Sequence, residues 1–166
     1  MQGSGRARRL LLVAALSMAF VVATAPAAGA AAPVKYQITV SDQFVGDTIN
    51  FIVATVPPVV PADTYKVGLA NNSIGPHVLI AVGGLAEGIT EAQFIALIDS
   101  VNAGGPIPAG VFEAGFVFSK PGQDHQKQFD LNTPGQYGYF CPIPTPDGTP
   151  HYKLGFVGLF DVVAAP

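Results

Sequence analysis

The sequence predicts an all-β domain, a Greek-key sandwich or barrel, with one inserted helix at about 91–102. Three observations predict it. Short runs of β-branched and aromatic residues recur from residue 34 to 163, several of them alternating apolar and polar side chains with the period of two of a half-buried strand. Pro-Gly and Gly-Gly pairs separate them at turn spacing. One segment alone has helical periodicity. Seven or eight short strands with such turns fit two packed sheets or a closed barrel.

Residues 1–30 stand apart from this pattern. Arg6, Arg8 and Arg9 form a positive region, Leu10 to Val22 an apolar region, and Ala28-Gly29-Ala30 a small-residue cleavage site. We read a secretion signal over 1–30 and a single domain over 31–166. The apolar stretch is too short for a comfortable spanning helix. No Cys lies near the cleavage site to carry a lipid anchor, and the residues around Arg8-Arg9 fit a twin-arginine signal poorly. The expectation is an exported protein, periplasmic, envelope-bound or extracellular, with no stable membrane insertion of the mature chain.

Each element follows in order. Val34, Tyr36, Ile38 and Val40 alternate with Lys35, Gln37, Thr39 and Ser41. Residues 48–56 form a second strand, after which Pro57, Pro58 and Pro61 are expected to stop pairing and turn the chain. Tyr65, Val67 and Leu69 alternate again. Val78 to Val82 is a continuous apolar run ending at Gly83-Gly84, as in an interior strand. From Thr90, the apolar positions Phe94, Ile95, Leu97, Ile98 and Val101 have helical spacing, with Thr90 and Gln93 as a capping box and Gly104-Gly105 as the stop. Strands resume at 111–119, 123–131, 136–141 and 155–163, with turns at Pro121-Gly122 and Pro134-Gly135.

Composition narrows the chemistry. Beyond residue 30 the chain has five lysines, no arginine and eleven acidic side chains. Such a chain cannot neutralise a run of phosphates, which excludes nucleic acid as a partner. It also has no Met, no Trp and one Cys. A lone thiol cannot form an internal disulfide, and in an exported protein it is an accident, an intermolecular bridge or a ligand.

The three histidines are His77, His125 and His151. His77 sits in NNSIGPHVLIAV, just before a buried strand. Cys141 ends the aromatic strand GQYGYFC, and His151 closes the loop CPIPTPDGTPH. Taken singly, Cys141 is a small hydrophobe and His77 a hydrogen-bonded strand-end residue. Taken together, an early His followed by a Cys and a second His in one late loop is the sequence order of a type 1 copper site. NNSIGPH resembles the first-ligand segment of plastocyanin-like cupredoxins, and PGQYGYFCPIP…H…G resembles their Cys-His loop. The resemblance covers roughly residues 31–166 and is strongest to secreted domains of the plastocyanin/halocyanin type.

The resemblance implies one copper ion, cycling between Cu(I) and Cu(II), held by His77, Cys141 and His151. It implies a non-enzymatic, monomeric electron carrier whose partner is a redox protein or a copper donor or acceptor. A thiolate with two imidazoles suits copper, because soft sulfur stabilises Cu(I) and imidazole tolerates both states. Pro142, Pro144, Pro146 and Pro150 stiffen the nine-residue loop between Cys141 and His151, with Asp147-Gly148 as its turn. The family brings the second His to the surface in an apolar patch, which Pro142, Ile143 and Pro144 would supply here.

Three departures accompany the likeness. The family's H-x-x-x-G-M stretch reads His151-Tyr152-Lys153-Leu154-Gly155-Phe156, so Phe156 takes the axial position and cannot ligate. The Cys-His loop is longer than in plastocyanin. Val78 stands where an Asn commonly ties the first ligand segment to the Cys loop, so that tie is expected to be missing.

Competing readings use the same residues. Zinc accepts Cys and two His plus water. A copper-handling module would keep the ligands without redox turnover, and a cupredoxin-fold interaction domain would bind no metal. A Cys-His hydrolase fits poorly, since Cys141 ends a strand in a proline loop rather than starting a helix. A multicopper enzyme needs more histidines than three. His125, in GQDHQKQ, is expected on the solvated surface. Glu87, Glu91 and Asp99 are expected to form the wet face of the helix. Asn71-Asn72-Ser73 matches a glycosylation sequon, but we expect it to hydrogen-bond the turn before His77.

Overall fold

A computed structural model describes residues 34–45, 48–54 and 56–166. The secretion signal expected over 1–30 lies outside the described residues. In chain order the strands are β1 (Val34–Val45), β2 (Thr48–Ala54), β3 (Val59–Pro61), β4 (Asp63–Asn71) and β5 (His77–Leu85). Helix α1 (Glu91–Asn102) follows, then β6 (Phe112–Ser119), β7 (Asp124–Leu131), β8 (Gly135–Phe140), a short 3-10 helix at His151–Leu154, and β9 (Val157–Val163).

The strands form two mixed sheets, ordered β2-β1-β4-β7 and β3-β9-β8-β5-β6. β1 runs parallel to β4 and β3 parallel to β9, while every other pairing is antiparallel. The core lies between the sheets. Ile38, Val40, Phe51, Val67, Leu69 and Phe129 come from one sheet, and Leu79, Val117, Tyr137, Phe160 and Val162 from the other. The alternation that predicted the strands is what places these side chains inward. In β5, for example, His77, Leu79 and Ala81 are buried and Val78, Ile80 and Val82 less so.

Helix α1 begins at its expected cap. The Thr90 side chain accepts from the Gln93 N–H, and the Gln93 side chain accepts from the Thr90 N–H. Phe94 and Ile98 pack with Leu85, Tyr152 and Val157 on the outer face of the second sheet. That packing needs Gly138, where a Cβ would stand 2.4 Å from the Phe94 ring. No helix among the described residues is long and apolar enough to cross a membrane.

Two features differ from expectation. The prolines after β2 do not end pairing, because Val59–Pro61 pairs with β9 at the sheet edge. An edge strand is hydrogen-bonded on one side only, so it tolerates a proline. The second sheet also runs through Gly83-Gly84 rather than ending there, with a register irregularity between Ala81 and Val82 on the β6 side.

Candidate metal centre

Three buried donors meet at one end of the sandwich. β5 and β8 are antiparallel neighbours, with Ile80 opposite Phe140. The start of β5 therefore lies beside the end of β8. His77 opens β5 and Cys141 follows β8, both facing the core. The chain then leaves through residues 142–150 and returns at His151. His77 Nδ1 is 3.1 Å from His151 Nδ1, which is 3.5 Å from Cys141 Sγ. The donor atoms of all three residues lie within 4.8 Å of one another. Among the described residues this is the one His/Cys/Asp/Glu cluster of metal-binding spacing.

The returning loop is a small hairpin. Pro144 bridges Pro150, and the His151 N–H donates to Ile143 O at 2.9 Å. The Gly148 N–H donates to Thr145 O at 2.9 Å, closing a turn with Pro146 in its second position, where the ring presets φ. Asp147 accepts from the Thr149 N–H and the Thr145 hydroxyl. The main chain then locks the site residues to each other. Tyr152 N–H donates to Cys141 O, Cys141 N–H to Phe156 O, and Phe156 N–H to His151 O, at 3.0, 3.1 and 3.0 Å. Gly155 ends the 3-10 helix with φ 95°, and a Cβ there would lie 2.7 Å from Phe51 O.

The first ligand segment is held by polar side chains instead. Asn71 Nδ2 donates to Gly75 O and Ser119 O, and Asn71 Oδ1 accepts from the Ser73 N–H. His77 Nε2 is 2.7 Å from Ser73 Oγ. Asn71 is thus buried and committed to the turn, as expected, and is not presented for glycosylation.

Two phenyl rings wall the cluster. Phe156 is fully buried with its centroid 5.1 Å from that of His77. Phe51 lies 4.7 Å from His77 and 4.4 Å from His151. Sequence reasoning missed Phe51. It could be placed on the inward face of its strand, but nothing local indicates that β2 ends over the two imidazoles. Opposite Phe51 on β1 stands Asp42. Its Oδ2 accepts from the Ile74 N–H at 2.8 Å, and its buried Oδ1 has no partner among the described residues.

Burial dominates the electrostatics. It pushes the Cys141 thiol up to about 11, against the N–H groups of Val78 and Ile143, which favour the thiolate. It lowers His77 to about 3, helped by the nearby His151. It lowers His151 as well, opposed by the charge of Asp42. At neutral pH the metal-free site therefore holds two neutral imidazoles and a thiol. A cation entering it must displace the thiol proton, which favours a thiophilic metal.

One tie predicted to be missing is present in another form. Val78 has no amide side chain, but its backbone N–H donates to Cys141 Sγ at 3.4 Å. His125 lies exposed on β7, away from the cluster. Asp99 keeps a partly exposed side chain and, beyond the expectation, accepts the Tyr152 hydroxyl at 2.6 Å and pairs with Lys153 at 2.9 Å, tying α1 to the 3-10 helix beside His151. Ile74, Pro76, Ile143, Pro144 and Pro146 line an apolar depression that reaches His151. The expected patch is therefore wider than the Cys-His loop, since the loop before His77 contributes to it as well.

No family model and no curated protein matches the chain. Solved structures do. The chain is similar to auracyanin A, a "blue" copper protein from the green thermophilic photosynthetic bacterium Chloroflexus aurantiacus, at 20% identity and TM-score 0.49, covering 80% of this chain and 100% of that one. It is similar to dithionite-reduced auracyanin from Roseiflexus castenholzii at 21% identity and TM-score 0.48, covering 81% and 99%. It is also similar to an azurin from Methylomonas sp. strain J at 16% identity and TM-score 0.47, covering 81% and 100%.

Proposed function

We propose that this chain is an exported cupredoxin, a mononuclear copper protein that carries one electron at a time. The observation that carries the reading is the convergence of His77 Nδ1, Cys141 Sγ and His151 Nδ1 at a buried site, from two segments more than sixty residues apart. The donor set fits copper: one soft sulfur and two imidazoles, with no carboxylate in the cluster. Bound copper would supply one-electron exchange between its two oxidation states.

The protein's part is to hold the donors still. The backbone locks among Cys141, His151 and Phe156 fix three positions together. A frame of that kind costs little rearrangement when charge changes at its centre. The Val78 N–H partly offsets the negative charge that Cys141 carries as a thiolate. Phe51 and Phe156 exclude water, which removes the fourth ligand that zinc would take. The apolar depression over His151 gives a partner protein access to within one side chain of the centre. Residues 1–30 act as the secretion signal that delivers the chain to the envelope or beyond.

A visible absorption spectrum with one equivalent of Cu(II) tests this. An intense sulfur-to-copper charge-transfer band is expected in the wild type and none in Cys141→Ser, because the band requires a thiolate bond. A colourless complex, or an unchanged band in the variant, overturns the assignment.

A further inference from the structure

The histidine at the start of β5 has two nitrogens, and a metal can use Nδ1 only if the proton sits on Nε2. What decides the proton's place is on the far side of the ring, in the turn of residues 71–75. We propose that Asn71 and Ser73 are positioning residues that set the tautomer of His77, keeping its proton on Nε2 and its Nδ1 lone pair bare toward Cys141 and His151. The use of that lone pair rests on the copper reading of the same site, whereas the tautomer itself does not.

The hydrogen bonds define the order of donors. Asn71 Nδ2 meets two carbonyls, Gly75 O at 2.8 Å and Ser119 O at 3.0 Å. Carbonyls only accept, so the amide nitrogen must face them and Oδ1 must face Ser73. The Ser73 N–H, which only donates, meets Oδ1 at 2.9 Å and fixes the same orientation. Ser73 Oγ lies 2.6 Å from Oδ1. Two oxygens at that distance attract only with a proton between them, and Oδ1 has none. The Ser73 hydroxyl therefore donates to Asn71, with Gly75 O at 3.0 Å as a second acceptor on the same side. Its one proton spent, Ser73 Oγ can only accept along its 2.7 Å contact with His77 Nε2.

Burial makes the order binding. Asn71, Ser73 and His77 are all buried, so no solvent replaces a misplaced proton. His77 Nδ1 is then a pure acceptor. Its 3.1 Å contact with His151 Nδ1 requires a proton on His151 in the metal-free protein. The two imidazoles thus carry opposite tautomers until a metal replaces the proton between them. The residue responsible is Ser73, whose hydroxyl can both donate and accept. Asn71 acts through it by claiming the donor side.

Long-range nitrogen–proton correlation spectra of the metal-free full chain read this directly. His77 should show a protonated Nε2 and a bare Nδ1, and His151 a protonated Nδ1. In Ser73→Ala the ratio of the two His77 tautomers should fall by about fivefold, the equivalent of one ordinary hydrogen bond. Ser73→Thr, which keeps the hydroxyl, should restore it. A wild-type His77 protonated on Nδ1 overturns the proposal, and that measurement stands even if a variant does not fold. An unchanged ratio in folded Ser73→Ala also overturns it. Wild-type tautomers as expected in a chain that gives no copper band would uphold this inference and sink the copper reading.

Discussion

The turn at residues 71–77 and the loop at 142–150 each deliver one imidazole, by opposite means. In the first, buried polar side chains grip the ring itself: Asn71 holds Ser73, and Ser73 holds His77 Nε2. In the second, no side chain grips the ring's far nitrogen among the described residues. His151 is placed by its backbone, through the bond to Ile143 O, the Pro144–Pro150 bridge and the locks to Cys141 and Phe156. The difference separates two tasks. The first turn fixes which atom of its histidine is available. The second fixes where its histidine stands while leaving the ring under the surface depression lined by Ile143 and Pro144.

Acid should act on the first arrangement through His77. His77 is held at about 3 when folded, against about 6.5 in an unfolded chain. Between those values the unfolded state binds a proton that the native state refuses, so stability is lost as pH falls from about 6.5 toward about 3. The metal-free protein should lose on the order of a few kcal/mol over that window from this group. Denaturant unfolding at stepped pH checks it, and His77→Asn should flatten the dependence.

The second arrangement should break at its backbone. Gly155→Ala adds a Cβ at φ 95° against Phe51 O, so it should cost roughly 1–3 kcal/mol. A chemical-denaturation midpoint decides this. An unchanged midpoint would mean that β2 does not fix the position of the 3-10 helix.

The smallest change should leave both arrangements standing. A thioether donates weakly to copper and stabilises the more electron-poor Cu(II). Phe156→Met should therefore lower the reduction potential without loss of fold. Voltammetry of the two proteins checks the sign, and an equal or higher potential in the variant would place position 156 off the metal.

The two turns also differ in how legible they were. The second is local in sequence: Cys141, four prolines, His151 and Phe156 lie within sixteen residues, and its resemblance to a known loop singled out Cys141 and His151, which the fold brings together with His77. The sandwich was legible for a similar reason, since alternation along a strand is a property of the strand alone. The capping box at Thr90 and Gln93 likewise fixed the start of α1. What could not be read depends on packing across long separations. Phe51 reaches the imidazoles only because β2 pairs with β1, and Asp99 reaches Tyr152 only because α1 lies on the second sheet. The hydrogen bonding of Asn71 and Ser73 to the turn before His77 is local and was read from the sequence, but not its continuation from Ser73 to the ring of His77. The backbone tie from Val78 to Cys141 carries no side-chain signal at all.

The edge strand β3 makes the strand pairing of longest sequence separation among the described residues. Val59 pairs with Asp161 and Pro61 with Val163, so one short parallel ladder encloses about a hundred residues. Contacts of such high order are slow to find, and chains dominated by them fold in milliseconds to seconds rather than microseconds. His77, Cys141 and His151 all lie inside that span. During synthesis β9, which joins β3 to β8 in the second sheet, emerges after every other described strand. The whole donor cluster thus lies within the chain segment that this one ladder closes.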